Sequence, residues 1–355
     1  MVDETRVSQL AIMLLLGAAG CAECEEASCK KDTGRETIAD GTDSNGDSGT
    51  AGDTDTDTDA DADSDGDTDT DVDTDTTTAE CTPYRDEPPF PSGPNRSSEG
   101  GYQAVVAGAY HSCAVRTDGG VVCWGGDAYC ESSGVPAGAY VAVAAGWRES
   151  CVLDATGMAA CWGANEFGQD VVPSVAFVTI SGVDVHFCGL DAAGTAWCWG
   201  ADHEGSTIPP AETFDMLSVG SLYNCGILAD RTAACWGSGQ AAPSGTFLDV
   251  SAFSGACGVL EDGSLTCWGP DPDGDGHLSP PSDTGYVDVE VGSGFACALR
   301  ASGEVTCWGE DEVPPLTPST PFTAISAALS QICALDADGY VTCWGNDVEG
   351  ETVPP

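Results

Sequence analysis

Cysteine is the residue whose number and spacing could do most chemistry in this 355-residue chain, which carries 19 of them. Fourteen stand in pairs ten positions apart: Cys113 with Cys123, Cys151 with Cys161, Cys188 with Cys198, Cys225 with Cys235, Cys257 with Cys267, Cys297 with Cys307, and Cys333 with Cys343. Trp-Gly follows the second member each time. Thiols so placed could ligate a metal, cycle between redox states or form disulfides. Zinc fits poorly, because the chain has only His111, His186, His203 and His277, and no Cys-x-x-Cys is matched by a second one. A disulfide fits well. Folded as a hairpin with a three-residue loop centred on Asp118, Cys113 and Cys123 lie directly opposite each other. Facing Cα atoms at a non-hydrogen-bonded site are about 4.5 Å apart, a span a disulfide bridges. Seven such bridges are predicted, each worth about 2–3 kcal/mol on the loop-entropy account. The cysteine density itself points to an oxidising compartment. Cys21, Cys24, Cys29, Cys81 and Cys130 remain, with their pairing open.

The carboxylates are the second chemical resource. Acidic residues number 58 against 10 basic ones, a net charge of −48. Such a surface repels phosphate backbones, so nucleic acid is excluded as a partner. Two runs have calcium-like spacing. Asp61, Asp63, Asp65, Gly66 and Asp69 form one; Asp271, Asp273, Asp275 and Gly276 form the other. Neither is followed by the Glu that completes an EF-hand loop, so each reads as a low-affinity calcium site or a solvated acidic loop. No other cofactor is implied. There is no His-Glu-x-x-His, and no lysine follows Lys31 to complete a phosphate-binding loop. Gly46-Asp-Ser-Gly resembles a serine-protease nucleophile segment but lies in a polar linker. With no acid/base constellation in view, the chain reads as a non-enzyme.

The elements that must position the paired cysteines recur with them. Seven copies run 113–125, 151–163, 188–200, 225–237, 257–269, 297–309 and 333–345, and successive copies start 32 to 40 residues apart. Constant spacing inside and variable length outside mark a structural unit joined by loops. An alternating apolar run, such as Tyr140 to Ala144, precedes each copy and predicts a first strand with one buried face. The first cysteine lies in a second strand, a Gly-containing turn follows, and a third strand ends in Cys-Trp-Gly. The turn glycine, six residues after the first cysteine, is replaced by Arg231 in the fourth copy, where a strained turn is expected. Each Trp follows its cysteine directly, so its ring faces the other side of the strand and can fill space between adjacent sheets.

Two segments precede the repeats. Residues 1–20 read as a signal peptide, with an apolar Leu10–Leu16 core and small residues at Gly17–Gly20. The Gly20-Cys21 junction resembles a bacterial lipoprotein signal, which implies lipid on Cys21; an ordinary cleaved signal is the other reading. Residues 21–100 read as a disordered linker, with Asp at every second position from Asp53 to Asp75. Like charges there repel and extend the chain. The repeats occupy 101–355.

Gly108-x-x-His111-x-Cys113-Ala-Val115, then Asp118-Gly119, Trp124-Gly125 and Asn165-x-x-Gly168-Gln169, resemble the regulator of chromosome condensation repeat. The resemblance covers Gly101 to Pro355, and its Asn-x-x-Gly element returns only partly at Asp202–Gly205 and Asn346–Gly350. It implies an all-β, seven-bladed β-propeller with four strands per blade. Residues just ahead of each first cysteine are then expected as loops on one rim: Tyr110, His111, Trp147, Arg148, His186, Phe187, Tyr223, Asn224, Phe253, Phe295 and Gln331. Aromatic and Arg side chains dominate binding contacts, although some of these could instead cap the core between blades. The expected function is a monomeric binding module, tethered by Cys21 at the outer membrane or cell surface, or else secreted. It would recognise a protein or glycan through one propeller face, with the lipid as its sole membrane contact. Two alternatives are a secreted inhibitor of a hydrolase, since a bacterial β-lactamase inhibitor has this propeller type, and a guanine-nucleotide exchange factor, implied by the family's founding member but disfavoured by export.

Overall fold

The computed structural model describes residues 94–221, 223–238, 241–270, 274–309 and 321–355. The signal segment, Cys21, Cys24, Cys29, Cys81, the linker to residue 93, the Gly46 motif, the Asp61–Asp69 run, Asp271 and Asp273 lie outside them.

Among the described residues every regular element is a strand. Blade 1 consists of β2 (Tyr102–Ala107), β3 (His111–Arg116) and β4 (Val121–Gly125); blade 2 of β5 (Tyr140–Ala145), β6 (Glu149–Asp154) and β7 (Ala159–Gly163). Blade 3 holds β8 (Phe177–Val183), β9 (His186–Asp191) and β10 (Ala196–Gly200); blade 4 holds β11 (Phe214–Val219), β12 (Tyr223–Leu228) and β13 (Ala233–Gly237). Blades 5 to 7 follow as β14 (Phe247–Ala252), β15 (Ala256–Leu260), β16 (Leu265–Trp268); β17 (Tyr286–Val291), β18 (Phe295–Arg300), β19 (Val305–Gly309); and β20 (Phe322–Ala328), β21 (Gln331–Asp336), β22 (Val341–Gly345). First strands touch in the closed order β2–β5–β8–β11–β14–β17–β20–β2, which makes the seven sheets a propeller.

Each middle strand is covered on both faces by neighbouring blades. Hence β3, β6, β9 and β12 are buried for five consecutive residues, where a half-exposed strand would alternate. All seven predicted disulfides form. Cys113 is bonded to Cys123, Cys151 to Cys161, Cys188 to Cys198 and Cys225 to Cys235. Cys257 is bonded to Cys267, Cys297 to Cys307 and Cys333 to Cys343. The two members of each pair are register partners, with Cα atoms 4.0–4.1 Å apart. Cys130 is disulfide-bonded as well. The turn glycines take φ of 77° to 88°, and Arg231 occupies the same region at 70°, as the sequence predicts.

Two devices join the blades. The indole N–H of Trp124, Trp162, Trp236 and Trp308 donates to the carbonyls of Glu351, Glu131, Ser206 and His277, in the loop that leaves the preceding blade. The first strand of each blade lies at the edge of its sheet, where its outward N–H groups have no neighbouring strand to pair with. Serines of the preceding blade accept from these groups: Ser181 from Val219, Ser218 from Ala252, Ser251 from Val291 and Ser326 from Ala107.

Two expectations are corrected. Six blades have three strands, not four, because the short connections after Trp-Gly form turns. The folded part also begins before Gly101. Asn95–Arg96 forms β1, the fourth strand of blade 7, in register with Cys343 and Thr342. This strand covers the outer edge of β22 and closes the ring between the two ends of the repeat array.

Candidate functional site

The turn between first and second strands falls at the same end of every blade, together with the loops that follow Trp-Gly. At the axis these turns surround a funnel of about 380 Å³, to which every blade contributes, among them Ala109, Trp147, Asp184, Ser221, Phe253, Ser293 and Leu329. Beside it, between the turns of blades 2 and 3 and the loops leaving blades 1 to 3, lies a groove of about 360 Å³. Trp147 and Asp184 line both cavities. The Trp147 N–H bonds to the Asp184 carbonyl at 2.7 Å, so one backbone contact sets the ridge between them.

The groove carries a concentration of exposed aromatic surface. Tyr129, Trp147 and Phe167, at 45%, 40% and 52% exposure, line it together with Glu149, Glu166, Gln169 and His203. Arg148 also reaches it but is engaged internally. Its guanidinium pairs with Glu131 at 3.3 Å and Glu349 at 3.0 Å, and lies 4.5 Å over the Tyr110 ring. Tyr110 in turn packs against Trp147 at 5.8 Å between ring centroids.

The structure thus divides the predicted rim residues. Tyr110, Trp147 and Arg148 come together at the groove, while Tyr223 and Phe253 line the funnel. His111, His186, Phe187, Asn224, Phe295 and Gln331 line neither cavity and are buried. They begin second strands rather than sitting in loops, and a second strand is covered on both faces. Several latch one blade to the next. His111 Nε2 meets Ser150 Oγ at 2.6 Å, His186 Nε2 meets Asn224 Oδ1 at 2.9 Å, and the Gln331 amide donates to the Gly108 carbonyl at 2.8 Å. Burial, with Arg148 nearby, lowers the His111 pKa to about 4, so its ring is neutral.

Of the acidic run in the blade 5–6 connection, Asp275 is described. Its carboxylate accepts the His277 backbone N–H at 2.9 Å and pairs with the His277 ring.

Sequence reasoning missed Tyr129, Phe167, Glu149 and Asp184. The signal for Glu149 was present, since it stands two residues before a first cysteine, as His111, His186 and Gln331 do. Tyr129 and Phe167 lie in the loops after Trp-Gly, which the repeat pattern presents only as turns.

Three stretches, residues 102–129, 140–169 and 286–312, match the Regulator of chromosome condensation (RCC1) repeat. No curated protein sequence matches the chain. Among solved structures, it is similar to the entire ectodomain of the Physcomitrella patens receptor kinase CR4, at 24% identity over 70% of this chain and 74% of that one, with a TM-score of 0.61. The CRINKLY WD40 ectodomain of the Arabidopsis thaliana receptor kinase ACR4 is similar at 23% identity, covering 72% and 99%, with a TM-score of 0.61. Saccharomyces cerevisiae Prp20p follows at 14% identity, covering 71% and 84%, with a TM-score of 0.55. At these identities the likeness is one of fold.

Proposed function

We propose that this RCC1-repeat β-propeller is a non-catalytic, exported interaction module that recognises a partner protein through the groove and funnel joined at Trp147. One observation carries the reading: the exposed aromatic side chains of Tyr129 and Phe167, from two loops, and Trp147, from a turn, converge on a preformed concavity. Rigid aromatic anchors beside a pocket are what protein recognition uses. The seven disulfides favour an oxidising, extracytoplasmic setting. Two of the similar structures are receptor ectodomains, and Prp20p is described with its binding to Gsp1p and histones; both fit a protein-binding role. Lipid on Cys21, with the Asp-rich segment as a spacer, would display the propeller away from a membrane.

The test is selection of peptides from a display library on the full chain, followed by affinity measurement. Trp147→Ala and Phe167→Ala should each weaken the selected peptides at least about tenfold. Trp197→Ala, which removes a tryptophan bonded to Asp191 and lining neither cavity, should leave affinity unchanged. Equal affinity in all three variants would remove this face from the function.

A further inference from the structure

From the same groove we infer that it binds a side-chain cation, the ammonium or guanidinium of a lysine or arginine presented by the partner; this rests on the protein-binding reading above.

Glu149 occupies the latch position, two residues before a first cysteine. In three other blades that position is satisfied within the protein. His111 reaches Ser150 of blade 2, and His186 reaches Asn224 of blade 4. Gln331 meets Ser112 of blade 1 at 3.5 Å. Each partner stands one residue before the next blade's first cysteine. For Glu149 the residue at that place is Phe187, whose side chain has no polar group to offer.

The carboxylate is therefore buried without its latch. Glu149 is 1% exposed; its Oε2 accepts the Arg148 backbone N–H at 3.1 Å, and its Oε1 has no hydrogen-bond partner among the described residues. An unsatisfied buried carboxylate oxygen is costly and calls for an external donor. It lines the groove directly. Gly146 leaves room for it, since a Cβ there would lie 2.6 Å from Oε1.

The rest of the groove has the same preference. Trp147, Tyr129 and Phe167 supply aromatic faces, and Glu166 and Asp184 add carboxylates. Aromatic faces with carboxylates behind them hold cations better than neutral or anionic groups. The protein already holds one guanidinium this way, because Arg148 lies over Tyr110 and 5.6 Å from the Tyr129 centroid while pairing with Glu131 and Glu349. Those contacts pair Arg148 within the protein, so the groove's other carboxylates are Glu166 and Asp184, the latter accepting one bond from Ser221 Oγ at 2.8 Å, beside the buried carboxyl of Glu149.

Burial, the largest cause, pushes the Glu149 carboxyl up to about 8, and Asp184 and Glu131 act in the same direction. The titratable and charged groups around it are Arg148 on its own turn, Glu131 and Glu166 in the loops leaving blades 1 and 2, Asp184 in the blade 3 turn and His203 in the loop leaving blade 3. Binding a cation must draw the proton from Glu149, so affinity rises with pH through that range.

The experiment titrates the full-length protein with Nα-acetyl-arginine amide, Nα-acetyl-lysine amide and neutral Nα-acetyl-norleucine amide. The readout is the Trp147 indole N–H signal in NMR spectra, assigned with Trp147→Phe. Saturable shifts are expected with the two cations and none with the norleucine probe. Glu149→Gln should weaken the cations about tenfold and flatten their pH dependence. Asp184→Asn, at a position with φ of 55° that Asn tolerates, gives a second variant with the same direction of effect. Equal binding of the neutral probe, undiminished cation binding in both variants, or no shift with any probe overturns the inference. If these fail while Trp147→Ala still abolishes the selected peptides, the protein-binding reading stands without the cation; if both fail, the site itself is wrong.

Discussion

Buried carboxylates set how this protein responds to pH. Glu149 and Glu290 are pushed up to about 8 and Glu351 to about 7, in each case chiefly by burial. Between the ordinary Glu range and these values the folded protein keeps protons that the unfolded chain has released. Stability is therefore greatest at the acidic side of that window and falls as pH rises through it, by at most about 1.4 kcal/mol per pH unit per group. Thermal unfolding should show a lower Tm at pH 9 than at pH 5.5, and Glu149→Gln should reduce the difference. A Tm that rises with pH would show that these groups are ionised in the fold. Very low pH acts oppositely. Asp154, Asp191, Asp230 and Asp262 accept hydrogen bonds from their own hairpin turns, which hold their carboxyls below the usual range, so protonating them removes stability. At this scale the sequence was legible for the cysteines and only partly for the site. Residue type marked Trp147 and Arg148, whereas His111 and Phe295 look the same in sequence whether a turn exposes them or a strand buries them.

The hairpin is the repeating element, and its rules were legible throughout. Ten-residue spacing, a turn glycine and Cys-Trp-Gly specify strand, turn and strand, and the register pairs the two cysteines of each copy. The fourth copy breaks one rule, with Arg231 at φ 70° where six glycines serve elsewhere. A side chain in this left-handed region costs about 1 kcal/mol. Arg231→Gly should stabilise the protein by about 0.5–1 kcal/mol, seen as a Tm raised by roughly 2 °C. A lowered Tm would mean that the exposed Arg231 side chain contributes more than its backbone costs. The connections between blades were less legible. The residue whose carbonyl accepts the next blade's indole is Glu131, Ser206, His277 or Glu351. Each also bonds its own loop through its side chain, and because a carboxylate, a hydroxyl and an imidazole all serve there, no single residue type marks the position.

Across the whole molecule, closure of the ring depends on segments flanking the repeats, which the repeat pattern does not describe. A two-residue strand, Asn95–Arg96, has no periodicity to read, yet it pairs with β22, and the Ser97 N–H donates to Val341 O at 2.8 Å. Closure by β1, by the Trp124–Glu351 bond and by Ser326 holds blades 1 and 7 together, and thereby fixes the seven turns around one axis. The two ends of each blade then differ in character. One end holds tight hairpin turns shaped by aspartates; the other holds the funnel and the groove that meet at Trp147. The central claim is that recognition belongs to the second end, and hydrogen–deuterium exchange of the full chain with and without a selected peptide tests it most directly. The account predicts slowed exchange at 146–148, 164–169 and 184–185, with the hairpin turns at 117–119, 155–157 and 301–303 unchanged. Protection of those hairpin turns, with none at 146–148, would contradict it.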